Sequence, residues 1–114
     1  MRMNAKYLED DGQVSLGRCR IQSVSASNSY KGTGERYYKF HNGTSSSGDV
    51  KLTVYVPTSD SSGFYGSCPV SIDIPGMGIL FEDGIFMSTN LDAGTGDNDD
   101  GIGMTCFYVG SVPA

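Results

Sequence analysis

The segment "VKLTVYVP" (50–57) alternates cleanly. Val50, Leu52, Val54 and Val56 fall on one face of an extended chain, and Lys51, Thr53 and Tyr55 on the other. That two-residue period predicts a strand with one side buried. "PVSIDIP" (69–75) repeats it, with Val70, Ile72 and Ile74 inward. "GRCRIQSV" (17–24) puts Cys19 and Ile21 in and Arg20 out, then slips phase at Val24, which predicts a bulge or a strand end. "RYYKFHNG" (36–43) reads as an aromatic-rich strand, and "IGMTCFYVG" (102–110) as the last one. "ILF" and "GIFMSTN" flank Glu82-Asp83-Gly84, a β-turn that wants Gly84 at positive φ.

Two strands break the in-out rule. In 84–90, Ile85 and Met87 share one face while Phe86 takes the other; in 102–109, Ile102, Met104, Cys106 and Tyr108 oppose Phe107 and Val109. A strand apolar on both sides is covered on both sides. Either a loop or terminal segment of the same chain folds over it, or another protein does. Polar, glycine-rich stretches at 27–35, 42–49, 58–67 and 92–101 read as loops. No segment keeps a 3.6-residue apolar period, and no 20–50-residue repeat is visible. The expected fold is all-β: a single-domain antiparallel β-sandwich or jelly roll of about seven to eight strands over 13–114. Residues 1–12 are expected to be a polar N-terminal arm, disordered or docked on a neighbour.

The chain's 114 residues fit one domain. Net charge is -5, and it is uneven: all eight Lys and Arg lie between Arg2 and Lys51, and only acids follow. Interleaved strands would still mix the two halves in space. The acidic balance argues against a phosphate-backbone partner, so no nucleic acid is expected. Three cysteines, Cys19, Cys68 and Cys106, are odd in number and widely spaced, which argues against a disulfide framework. No apolar leader or membrane-length run occurs, so synthesis in a reducing cytoplasm and no membrane partner are expected.

Catalytic chemistry is sparse. His41 is the one histidine, at the end of the aromatic strand, where a surface or capping role is expected. There is no G-x-S-x-G elbow and no phosphate-binding glycine loop. The cysteines and His41 lack zinc spacing. "DNDDG" (97–101) offers three carboxylates but misses the EF-hand pattern, so no metal and no cofactor are expected. "NGT" (42–44) matches a glycosylation acceptor without a secretion signal beside it.

"IDIPGMGILFEDGIFMSTN" (72–90) and "MTCFYVG" (104–110) resemble small structural proteins of tailed bacteriophages that carry an "IPGxGILFxDGI" motif and a closing "TVFYG"-like strand. The likeness covers roughly 17–110, with "RCRIQSVSA" (18–26) and "GDVKLTVY" (48–55) where that family has its first two strands. It implies a virion β-sandwich, with 74–85 as a turn between core strands. The expected function is a non-enzymatic virion structural protein, a capsid decoration (cement) protein on the major capsid protein, repeating as a homo-oligomer or symmetric array. A neck or tail component is the rival within that class. Expected contact residues are Arg2, Lys6, Tyr7 and Leu8 of the arm, with Phe86, Phe107 and Val109 of the two-sided strands. A glycan-binding module is the reading outside it, with Phe64 and Tyr65, or Tyr30, Tyr37 and Tyr55, as stacking aromatics.

Overall fold

A computed structural model describes residues 3–27, 36–56, 70–91, 103–110 and 112–113. Every regular element among them is a strand: β1 (Met3–Leu8), β2 (Gly12–Leu16), β3 (Cys19–Ser27), β4 (Arg36–Asn42), β5 (Val50–Val56), β6 (Val70–Asp73), β7 (Ile79–Phe81), β8 (Gly84–Leu91), β9 (Gly103–Val109) and β10 (Val112–Pro113). They form two antiparallel sheets. The first runs β1-β9-β3-β6, with β7 also on β3; the second runs β10-β2-β8-β4-β5.

β6 and β7 are two halves of one edge strand. β6 pairs with Ser23–Ala26 and β7 with Cys19–Ile21 of the same neighbour, β3. Counted as one, they make the first sheet first-eighth-third-sixth in chain order, and the second sheet second-seventh-fourth-fifth with β10 added at its edge. That order is a jelly roll, two Greek keys wound together. The expected β-sandwich is the fold the chain adopts. The wound order also interleaves the basic and acidic halves: the acidic-half strand β9 sits between β1 and β3, and Arg18 reaches Glu82 at 3.5 Å.

The core lies between the sheets. Ile21, Val24, Met104, Cys106 and Tyr108 enter from the first, and Val14, Tyr38, Phe40, Val54, Ile85 and Met87 from the second. The phase slip near Val24 is real: pairing of β3 with β9 shifts between Ile21 and Ser23, leaving Gln22 as an extra residue. Gln22 is used twice there. Its carbonyl accepts from Ile74 N at 3.0 Å, and its side-chain amide donates to Met77 O at 2.9 Å. These bonds hold the Pro75-Gly76-Met77-Gly78 loop that interrupts the edge strand. Gly78 has φ 89°, and a Cβ there would strike the Ile21 carbonyl and the Gln22 amide. Gly84 has φ 116°, as the turn required, and a Cβ would sit 2.8 Å from Ser15 O.

Three expectations need correction. Met3–Leu8, taken as part of a free arm, is strand β1, paired along its length with β9. Its pattern is inverted, and an inverted pattern does not read as a strand: Asn4, Lys6 and Leu8 take the inner side, and Met3, Ala5 and Tyr7 the outer. Val50 is exposed, because pairing of β4 with β5 shifts between Phe40 and His41 and takes Val50 off the core face. His41 is buried, covered by the 43–49 loop.

Candidate docking face

β9 explains the site. In an antiparallel pair, directly opposed residues share a face. Met104, Cys106 and Tyr108 face the core, so Thr105, Phe107 and Val109 face outward, opposite Tyr7, Ala5 and Met3 of β1. On the other side of β9 the outward partners are Arg20, Ser23 and Ser25 of β3, and beyond them Leu80, Asp73 and Ser71. The outer face of the first sheet therefore carries Met3, Ala5, Tyr7, Leu80, Phe107 and Val109. Met3 is 55% exposed and Tyr7 54% exposed. Tyr7 lies across Gly103, where no Cβ would fit, so the ring is seated on the sheet instead of projecting from it. Burial and Glu9 together push the Tyr7 phenol up, so the ring stays neutral across the ordinary pH range.

At one end of this face is a depression of about 130 Å³ lined by Arg18, Cys19, Arg20, Leu80, Val109 and Gly110. Cofactor and drug-sized sites run to roughly 300–1,000 Å³, so this one admits a single side chain. Its lining is mostly apolar, with Arg18 and Arg20 among the residues around it. Arg18 is engaged by Glu82, an exposed pair worth little.

The second sheet's outer face is closed differently. Phe86 lies there, its ring centroid 6.4 Å from that of His41, which is 5% exposed. His41 Nδ1 donates to Gly48 O at 3.0 Å, so in the neutral ring Nε2 accepts from Ser88 Oγ, 2.7 Å away. A serine within hydrogen-bond reach of an oriented histidine is the outline of a nucleophilic pair. Here one ring nitrogen ties the loop to the sheet and the other ties β4 to β8. Gln13 does similar work: its Nε2 donates to Ser15 O, Gly43 O and Ile85 O at 2.8, 3.0 and 2.9 Å. Asn42 closes the same corner through Asp83, giving Nδ2 to its carboxylate and taking its backbone N–H, so this side chain is a turn brace. Farther along the face, Tyr37 and Tyr55 sit opposite each other with ring centroids 5.2 Å apart. Among the described residues no group of three His, Cys, Asp or Glu could hold a metal ion, and no helix is long and apolar enough to cross a membrane.

The structure divides the expected contact residues. Tyr7, Phe107 and Val109 share one outer face; Phe86 belongs to the other sheet, under the His41 corner; Lys6 and Leu8 turn inward, and Leu8 packs on the core. Arg2, Tyr30, Phe64, Tyr65 and the 92–101 loop lie outside the described residues. Met3, Arg20 and Leu80 were not among the expected residues. The signal for Met3 was the Met3-Ala5-Tyr7 alternation, hidden because its apolar side is the exposed one; Arg20 and Leu80 join it only through the strand order. Cys19 and Cys106 are buried free thiols, as their strand positions suggested. Comparison of the chain with protein-family models, with curated proteins and with solved structures finds no match.

Proposed function

We propose that the chain is a non-enzymatic virion structural protein, a decoration protein that docks on the major capsid protein of a tailed phage. The observation that supports it best is the inverted polarity of β1, which turns Met3, Ala5 and Tyr7 outward beside Phe107 and Val109. A strand that spends its apolar side on the surface has something to cover it. The jelly roll supports the reading more weakly, since capsid and lectin domains both use it and a fold alone does not assign a function. The test is quantitative mass spectrometry of purified particles from a phage encoding this chain. About one copy per capsid subunit, or a simple fraction of that, is the expected result. A dozen or fewer copies moves the protein to the neck or tail, and absence from the particle refutes the virion reading.

A glycan-binding module is favoured by one specific observation, the Tyr37–Tyr55 pair with Tyr55 exposed on an outer sheet face. Sugar binding lost on Tyr55→Ala, with the fold retained, is its signature.

A further inference from the structure

We infer that the outer face of the first sheet is a self-association surface, on which a second copy of this chain packs face to face about a two-fold axis. The inference rests on reading this face as a protein contact surface, and it goes further by naming the occupant.

The strand register supplies the pattern. One cross-strand row reads Met3, Val109, Arg20, Leu80. The next row, past the extra residue Gln22, reads Ala5, Phe107, Ser23, Asp73. Each row is apolar on β1 and β9 and carries one charge toward the other edge, and the two charges are opposite. A two-fold axis lying in the contact plane, running across the strands between the rows, lays each row on the other row of the second copy. Val109 then meets Phe107 of the second copy. Arg20 then stands over Ser23 of the second copy, offset sideways from its Asp73 by about one strand spacing, ~4.8 Å, across sheets stacked ~10 Å apart, a gap the two side chains span together. Symmetry makes every such contact twice. The depression beside Arg20, Leu80 and Val109 has room for one side chain, and Phe107 of the second copy is the group brought to its edge.

Charge selects this face over the other. A chain of net charge -5 repels its own copies in general. On the first sheet's outer face opposite charges stand close together, Arg20 and Asp73 on the face and Arg18 and Glu82 at its rim, with Glu9 beside Tyr7. The outward strand positions of the second sheet carry Lys39 and, among the described residues, no carboxylate, so they offer no matched pair of opposite charges to a second copy.

The size sets the strength. Four strands ~4.8 Å apart and about five residues at ~3.3 Å rise give a flat footprint of roughly 300 Å² per copy. A standard interface buries about 800 Å² per partner, so this contact is weak in free solution, in the micromolar to millimolar range. Copies already held side by side on a shell have a high effective concentration, and there a weak contact suffices.

Sedimentation velocity of the full chain from about 1 µM to about 1 mM tests the inference. The expected result is a concentration-dependent monomer–dimer equilibrium. Arg20→Glu alone and Asp73→Arg alone each raise the dissociation constant by about tenfold or more, since each places like charges in contact twice. The double variant Arg20→Glu/Asp73→Arg restores the wild-type value, because the exchanged charges meet again across the axis. Circular dichroism confirms that all variants are folded. A wild type that stays monomeric at about 1 mM overturns the inference, and so does a folded double variant no tighter than the singles. A monomer that is abundant on particles sinks only the self-association; a dimer absent from particles supports it and sinks only the virion reading.

Discussion

Gln13→Glu is the sharpest perturbation this structure offers. It exchanges one NH₂ group for one oxygen and changes the shape of the side chain hardly at all. In the wild type the NH₂ faces three carbonyl oxygens, Ser15 O, Gly43 O and Ile85 O, at 2.8–3.0 Å. Two hydrogens serve three acceptors, so one hydrogen is shared. Each hydrogen bond contributes about 0.5–1.5 kcal/mol net, so losing the donor costs about 2 kcal/mol. A carboxylate there also points its charge at three carbonyl dipoles. The site is half-buried, which screens that repulsion in part, and about 2–4 kcal/mol is the expected total at pH 7. That is a large share of the roughly 5–15 kcal/mol that holds a domain together. The pH dependence follows. The folded state raises the pKa of the new carboxyl above its unfolded value of about 4.3. Below that value it is protonated in both states, its O–H donates to one carbonyl, and the penalty is smallest; the penalty grows as pH rises through the raised folded pKa. Urea unfolding followed by tyrosine fluorescence and circular dichroism measures it, as the chain has no tryptophan. With a slope of about 1–3 kcal/mol per molar, the midpoint falls by about 1–2 M at pH 7. Gln13→Met loses the donor without adding charge and shows no such pH dependence. A change under about 0.5 kcal/mol at pH 7, or no recovery near pH 4, refutes the assignment of Gln13 as the donor that ties this corner together.

Gly78→Ala and Gly84→Ala each cost about 1–3 kcal/mol in the same assay, because both sit at positive φ with backbone oxygen where a Cβ would go; Gly76→Ala, at positive φ but with open space around it, costs less. Cys106 is buried, and burial pushes its thiol far up, with Cys19 raised by the same cause. Both stay unlabelled by iodoacetamide until urea unfolds the chain, as read by peptide mass mapping. Above about pH 8.5 unfolded thiols ionise while the folded Cys106 stays protonated, so stability falls with rising pH by up to about 1.4 kcal/mol per unit on its account, with Cys19 acting in the same direction, visible as a drop in unfolding midpoint between pH 8 and 10. His41→Ala frees the 43–49 loop and costs about 1–3 kcal/mol, and fluorophosphonate leaves Ser88 unmodified in the wild type; labelling of Ser88 that His41→Ala abolishes would refute the clamp reading.

The pattern of the sequence carried the fold where a strand has a wet side and a dry side. β5 and β6 announced themselves this way, and in β8 and β9, apolar on both sides, the period still set Phe86, Phe107 and Val109 on the face opposite the core residues. It failed where the local pattern was overruled. β1 hides because Lys6 and Asn4 take the inner side at a sheet rim, where a long polar side chain still reaches water, while its apolar residues face out. Val50 was misplaced by a bulge that nothing in "VKLTVYV" signals. His41 looked like a surface residue because its cover, the 43–49 loop, is polar and lies next to it in sequence; the Ser88 partner is across the sheet and invisible to spacing. The docking face was the least legible part. Its six apolar residues come from β1, β7 and β9, and only the wound strand order brings them together.

The place of β9 has a consequence in time. Met3 lies opposite Val109 and Leu8 opposite Met104, so the outer pairing of the first sheet joins residues from the two ends of the described chain. β3 is likewise incomplete on one side until β9 arrives. During synthesis, β1 through β8 leave the ribosome with the gap between β1 and β3 still open and the core lacking Met104, Cys106 and Tyr108. Closure then waits for β9 and the large loop-closing entropy of a non-local contact, which puts folding in the millisecond-to-second range typical of all-β domains. For that interval β1 and β3 offer unpaired edges to any other nascent copy. A host expressing this chain at high rate should therefore yield soluble protein in proportion to how slowly it is translated and how cool the cell is kept.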